Sequence, residues 1–141
     1  MIQFFVECTP PTITSQQRRH NYKQAKLKQA EAFWKAVMEI NAPNKPLKGV
    51  LRLDVSVTYP HTNKSCKVAE KLSLYAIAKI TTPDCDNINK LIQDAMAKCG
   101  YFENDSRIYH LEVTKWHGDI PGVAVKLERD EYWTKILNMK E

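Results

Sequence analysis

Residues 51–59 alternate without a break. Leu51, Leu53, Val55, Val57 and Tyr59 fall on one side, and Arg52, Asp54, Ser56 and Thr58 on the other. Side chains of a strand point to opposite faces with a period of two, so this segment is a strand with one dry and one wet face. A strand cannot bury a face alone. The chain must build a sheet that is covered on one side, and the cover has to come from elements of different periodicity.

Two segments supply it. Leu27, Ala30, Phe33, Trp34, Val37 and Met38 recur at helical spacing, and Thr14 and Gln17 have the spacing of a capping box, so a first helix begins near them and ends before the loop 41–46. Ile88, Leu91, Ile92, Ala95, Met96 and Cys99 form the apolar stripe of a second helix over 87–99. Asp86 is placed to cap its start and Gly100 its end. Strand character recurs over 2–8, 72–80, 108–116 and 123–127, with a turn over 118–122. The segment from Pro60 to Lys71 reads as an exposed, mobile connection carrying Lys64, Lys67 and Lys71. The fold expected is α+β: one domain over 1–141, a small mixed or mostly antiparallel sheet, two main helices on one face, and residues 130–141 as a helical tail.

Charge is distributed unevenly. Residues 1–80 carry 13 Lys and Arg against 5 Asp and Glu, whereas 81–141 carry 8 against 11. A basic half beside a carboxylate-rich half is the pattern of a protein that grips phosphates with one part and holds cations with another. Arg18, Arg19 and Lys23, close behind the Pro10-Pro11 turn, are the expected phosphate contacts. No apolar run approaches the ~18 residues of a membrane helix, and residues 1–7 lack the basic start of a signal peptide. Cys8, Cys66, Cys85 and Cys99 form no C-x-x-C pair, and the four histidines add no zinc spacing, so reduced thiols in a cytoplasmic protein are expected.

The chemistry concentrates in Pro83-Asp84-Cys85-Asp86-Asn87-Ile88-Asn89-Lys90. Asp84 and Asp86, two apart in extended chain, can turn both carboxylates to one side; Lys90 follows Asp86 by one helical turn, and Asp94 follows Lys90 by another. Hard oxygen donors of this kind suit Mg²⁺ or Mn²⁺. A helix-capping Asp with a loop Asp beside it has the same D-x-D spelling. A third carboxylate, Asp105, lies beyond the helix, and an antiparallel return of the chain would be needed to bring it back.

The run P-D-C-D-N-I-N-K, then L-I-Q-D-A-M, then G-Y-F-E-N-D-S-R-I and a strand ending V-T-K resembles the RusA-like Holliday junction resolvases over residues 80–117. The resemblance implies that Asp84, Asp86 and Asp105 are metal-binding catalytic aspartates and Lys90 the catalytic lysine. By the same likeness Asp94 supports the site or pairs with Lys90, and Lys115 lies near a DNA phosphate. Asn104 stands where the family commonly has a second Asp, and the chain carries more residues between Pro60 and Ile80 than the smallest members.

The expected function is Mg²⁺-dependent (or Mn²⁺-dependent) hydrolysis of phosphodiesters in four-way DNA junctions; the alternative is a non-catalytic nucleic-acid-binding module. A junction presents two strands to cut, so a symmetric homodimer is expected. Phe102, Trp116, Tyr132 and Trp133 are read as apolar surplus available to an interface involving helix 87–99 or the tail.

Overall fold

The computed structural model describes residues 1–12 and 21–139, and of residues 21–24 the backbone only. The chain runs β1 (Ile2–Glu7), α1 (Asn21–Glu39), β2 (Leu51–Pro60), α2 (Asn63–Leu72), β3 (Ala76–Ala78), α3 (Cys85–Lys98), a 3₁₀ turn (Asp105–Arg107), β4 (Ile108–Gly118), β5 (Gly122–Arg129) and α4 (Glu131–Ile136). The expected helix start at Thr14–Gln17 lies outside the described residues.

Among the described residues five strands form one mixed sheet in the order β1-β5-β2-β4-β3. The β2–β4 pair is parallel and the other three are antiparallel. Parallel neighbours need a crossover, and α2, β3 and α3 all lie within it. In β2, Leu51, Leu53, Val55 and Val57 are fully buried, as their alternation requires. They meet Val123, Val125 and Leu127 of β5 and the stripes of α1 (Leu27, Ala30, Trp34, Val37, Met38) and α3 (Ile88, Leu91, Ile92, Ala95, Met96) in one core. The two main helices therefore cover one face, while Arg52 and Asp54 stand exposed on the other.

Three expectations change. The stretch 60–71 is not a mobile connection: α2 occupies it, started by a reciprocal capping box between Thr62 and Ser65. The strand expected over 72–80 shrinks to the three residues of β3 at the sheet edge. In α3 the N-cap position belongs to Asp84, without a side-chain cap bond, and Asp86 sits in the first turn instead. The far end of α3 behaves as expected. Gly100 takes φ +81°, and a Cβ there would meet no atom within 4 Å, so its backbone conformation and not crowding calls for glycine.

All four cysteines are free. Among the described residues no helix is long and apolar enough to cross a membrane.

Candidate active site

The segment that leads into α3 is held by lysines. Lys115, on β4, donates from Nζ to the carbonyl oxygens of Thr81 (2.5 Å) and Pro83 (2.9 Å). Lys79 donates from Nζ to Thr81 Oγ1 at 2.8 Å, and its backbone N–H bonds the Lys115 carbonyl at 3.0 Å. The Lys79 side chain is buried at 8% exposure, with its ammonium 4.9 Å from the centroid of the Tyr59 ring. Burial, and then the Lys115 ammonium, lower the Lys79 pKa. Burial raises the Tyr59 phenol, with the thiols of Cys85 and Cys8 adding to the effect. Both lysines thus spend donors on residues 81–83, immediately before Asp84.

What this brace presents is open. Asp84, Asp86 and Lys90 are all exposed, and none has a side-chain hydrogen bond or ion pair among the described residues. Two unpaired carboxylates two residues apart are a donor set of the kind Mg²⁺ accepts, one or two carboxylates with water completing the shell. Beneath them Asn87 is buried at 3% exposure, and its Oδ1 has no partner.

The other expected site residues lie elsewhere. Asp94 lines a shallow groove between α1 and α3 with Lys28, Glu31, Lys35 and Lys98, and it forms no ion pair with Lys90. Asp105 opens the 3₁₀ turn beyond the opposite end of α3. Fourteen helical residues span about 21 Å. β4 then returns along α3, but the residue that arrives beside the Asp84 segment is Lys115, seven positions after Ile108, or about 23 Å of strand. The antiparallel return exists, and it delivers a lysine rather than the third aspartate. Accordingly no three His, Cys, Asp or Glu side chains converge to hold a metal among the described residues. Asn104 has its own task, since its Oδ1 accepts from Ser106 N–H at 2.8 Å and caps the turn carrying Asp105. Asp would cap equally well.

Of the expected phosphate contacts, Arg18, Arg19 and the Lys23 side chain lie outside the described residues. Phe102 is no surplus: it is 1% exposed and belongs to the core. Trp116 is half-buried, its indole N–H bonded to Ser56 Oγ at 3.1 Å, whereas Tyr132 (67%) and Trp133 (42%) remain exposed. Sequence reasoning missed Lys79, Tyr59 and the orphaned Asn87. A lysine inside an otherwise apolar run just before P-D was the available signal for the first.

No curated protein matches the chain. The sequence profile described as endodeoxyribonuclease RusA matches residues 8–128, from the end of β1 nearly to the end of β5, and takes in the lysine brace and all three aspartates. The chain belongs to the RusA endodeoxyribonuclease family.

Proposed function

We propose that the chain is a divalent-metal-dependent endonuclease that resolves four-way DNA junctions as a symmetric homodimer. The observation that carries this reading is the pair of exposed, unpartnered carboxylates of Asp84 and Asp86 on a segment tied down by Lys79 and Lys115. Mg²⁺, when bound, activates the attacking water and neutralises charge on the phosphoryl and leaving oxygens. Asp84 and Asp86 supply the anionic ligands. Lys90, one turn inside α3, faces the same solvent and offers an ammonium to the charge that builds on the phosphate. The free thiols fit a reducing, cytoplasmic setting.

Asp105 enters through the second copy. β3 pairs with β4 only at Trp116–Gly118, so the edge over Tyr109–Glu112 is exposed with no strand beside it among the described residues. Tyr109 (51%) and Leu111 (45%) leave this edge apolar, the kind that pairs with another chain. Antiparallel pairing of two such edges about His110 sets residue 105 of one copy opposite residue 115 of the other. Each site would then draw Asp84 and Asp86 from one subunit and Asp105 from its partner.

The test is a labelled four-way junction with Mg²⁺. Paired nicks at symmetric positions are expected. A shifted but uncut junction would leave only a DNA-binding module. Mixing inactive Asp84→Asn protein with inactive Asp105→Asn protein separates the two site geometries. If the site is shared, half of the sites in the mixed dimers keep all three aspartates and nicking returns. If it is complete within one chain, every site stays defective and the mixture stays inactive.

A further inference from the structure

We infer that α2 is a second DNA-contact element, with Lys64, Lys67 and Lys71 gripping successive phosphates of the arm that leads to Asp84 and Asp86. This rests on the nuclease reading above and adds a surface to it. Residues 64, 67 and 71 recur at i, i+3 and i+7, so the three ammonium groups share one stripe, within about 60° of arc at 100° per residue. All three are exposed, and none has an acidic partner within 4 Å among the described residues. The buried residues of α2, Ser65 and Ala69, lie on the opposite side. The stripe rises about 10 Å along the helix, a span suited to two or three phosphates of one strand.

The helix is fixed in place. His61 bonds Ser65 Oγ at 2.9 Å through Nδ1 and Asp119 Oδ1 at 3.1 Å through Nε2, which ties the start of α2 to the β4–β5 turn. These three residues repeat the order of a hydrolase triad. Ser65, however, is 6% exposed, and its hydroxyl bonds the Thr62 backbone and side chain, so it serves the cap and is no nucleophile. At the other end Ser73 closes the helix in the left-handed region (φ 53°), Leu74 N–H returns to the Ala69 carbonyl, and Asp119 N–H bonds the Tyr75 carbonyl. The backbone that carries this stripe of cations is pinned at both ends before DNA arrives, so little backbone entropy is lost on contact.

Its position selects the partner. α2 leads directly into β3, which pairs with the last three residues of β4, and Asp84 follows β3 by six residues on the same edge of the sheet. Between them Tyr75 is 84% exposed and Ile80 92% exposed. A duplex arm with its scissile phosphate at Asp84 and Asp86 would pass this edge, and a polyanion is the complement of three unpaired ammonium groups.

The test is junction binding without Mg²⁺ across a salt series, comparing wild type with the triple variant K64Q/K67Q/K71Q and the charge-conserving K64R/K67R/K71R. Each lost phosphate contact flattens the slope of log affinity against log salt by about 0.9. The Gln variant should flatten it by about 2–3, and the Arg variant should keep the wild-type slope. An unchanged slope in the Gln variant overturns the proposal. So does a pattern in which the Gln variant loses only retention on phosphatidylserine vesicles. The nuclease reading fails separately: wild type that binds junctions yet never nicks them with Mg²⁺ refutes that reading, while the slopes still decide α2. Wild type that binds no DNA refutes both.

Discussion

The two ends of α3 are built by opposite means. At its start, Asp84, Asp86 and Lys90 stand in solvent, and the approach is held by ammonium groups bonded to carbonyl and hydroxyl oxygens. At its finish, Tyr101 and Phe102 are buried to 0% and 1% exposure. There the Tyr101 hydroxyl donates to the Met38 carbonyl at 2.6 Å, and the Leu47 N–H bonds the Tyr101 carbonyl at 2.9 Å. Burial raises the Tyr101 pKa to about 12, so this donor keeps its proton throughout the working pH range. The finish is a packed corner that locks α3 to α1. The start is a polar brace that leaves its carboxylates unpaired. A helix needs one rigid end to hold position, and that leaves the other free to carry groups that would be costly to bury.

This contrast can be broken in order of effect. Asp84→Asn and Asp86→Asn should each cut junction cleavage by more than about 10²-fold while binding persists; a variant cutting at the wild-type rate would show that its carboxylate does no chemistry. Phe102→Ala attacks the other end and should cost about 3–5 kcal/mol of unfolding free energy, with the Mg²⁺ requirement of the folded fraction unchanged. Denaturant melts together with a metal titration read both quantities.

Lys115→Met tests the brace. Loosening a group that orients metal ligands typically weakens metal affinity by about 10–100-fold, so half-maximal cutting should need correspondingly more Mg²⁺. The salt slope of junction binding should not change; a slope flatter by about 0.9 would make Lys115 a phosphate contact after all. The smallest effect is expected from Tyr101→Phe, which strands the Met38 carbonyl for about 1 kcal/mol and leaves metal dependence and DNA affinity alone.

What the sequence made legible follows from what stabilises each part. β2 and α3 advertise themselves because their burial is apolar and periodic, and the alternation of Leu51 to Tyr59 maps onto buried positions alternating with exposed or half-buried ones. α2 stayed hidden because its buried side consists only of Ser65 and Ala69. Val68 and Leu72, which extend that side at helical spacing, stay 37% and 58% exposed, and its anchors, His61 to Asp119 and Asp119 to Tyr75, join residues far apart in the chain. The carboxylates were visible as residues, and so was the helix that separates Asp105 from the other two; which residue the returning chain brings back was not. That Lys115 and not Asp105 arrives beside Asp84 depends on where β4 starts and how far it runs, which no motif states. Lys79 was concealed for another reason, since a lysine is rarely interior and this one is kept there by Thr81 and the Tyr59 ring.

The pairing of β1 has a consequence for how the molecule is made. Among the described residues β1 pairs with β5 alone, with Ile2 opposite Leu127 and Glu7 opposite Gly122. β1 is therefore made well before the strand it pairs with, and residues such as Phe4 and Val6 wait unpaired until β5 exists. Contacts this distant in sequence are slow to form, and an apolar strand awaiting its partner is the segment most exposed to wrong pairing. The β1–β5 seam joins segments far apart in the chain. A cramped crossing guards that seam: a side chain at Gly122 would collide with the Val6 carbonyl and the Phe5 ring.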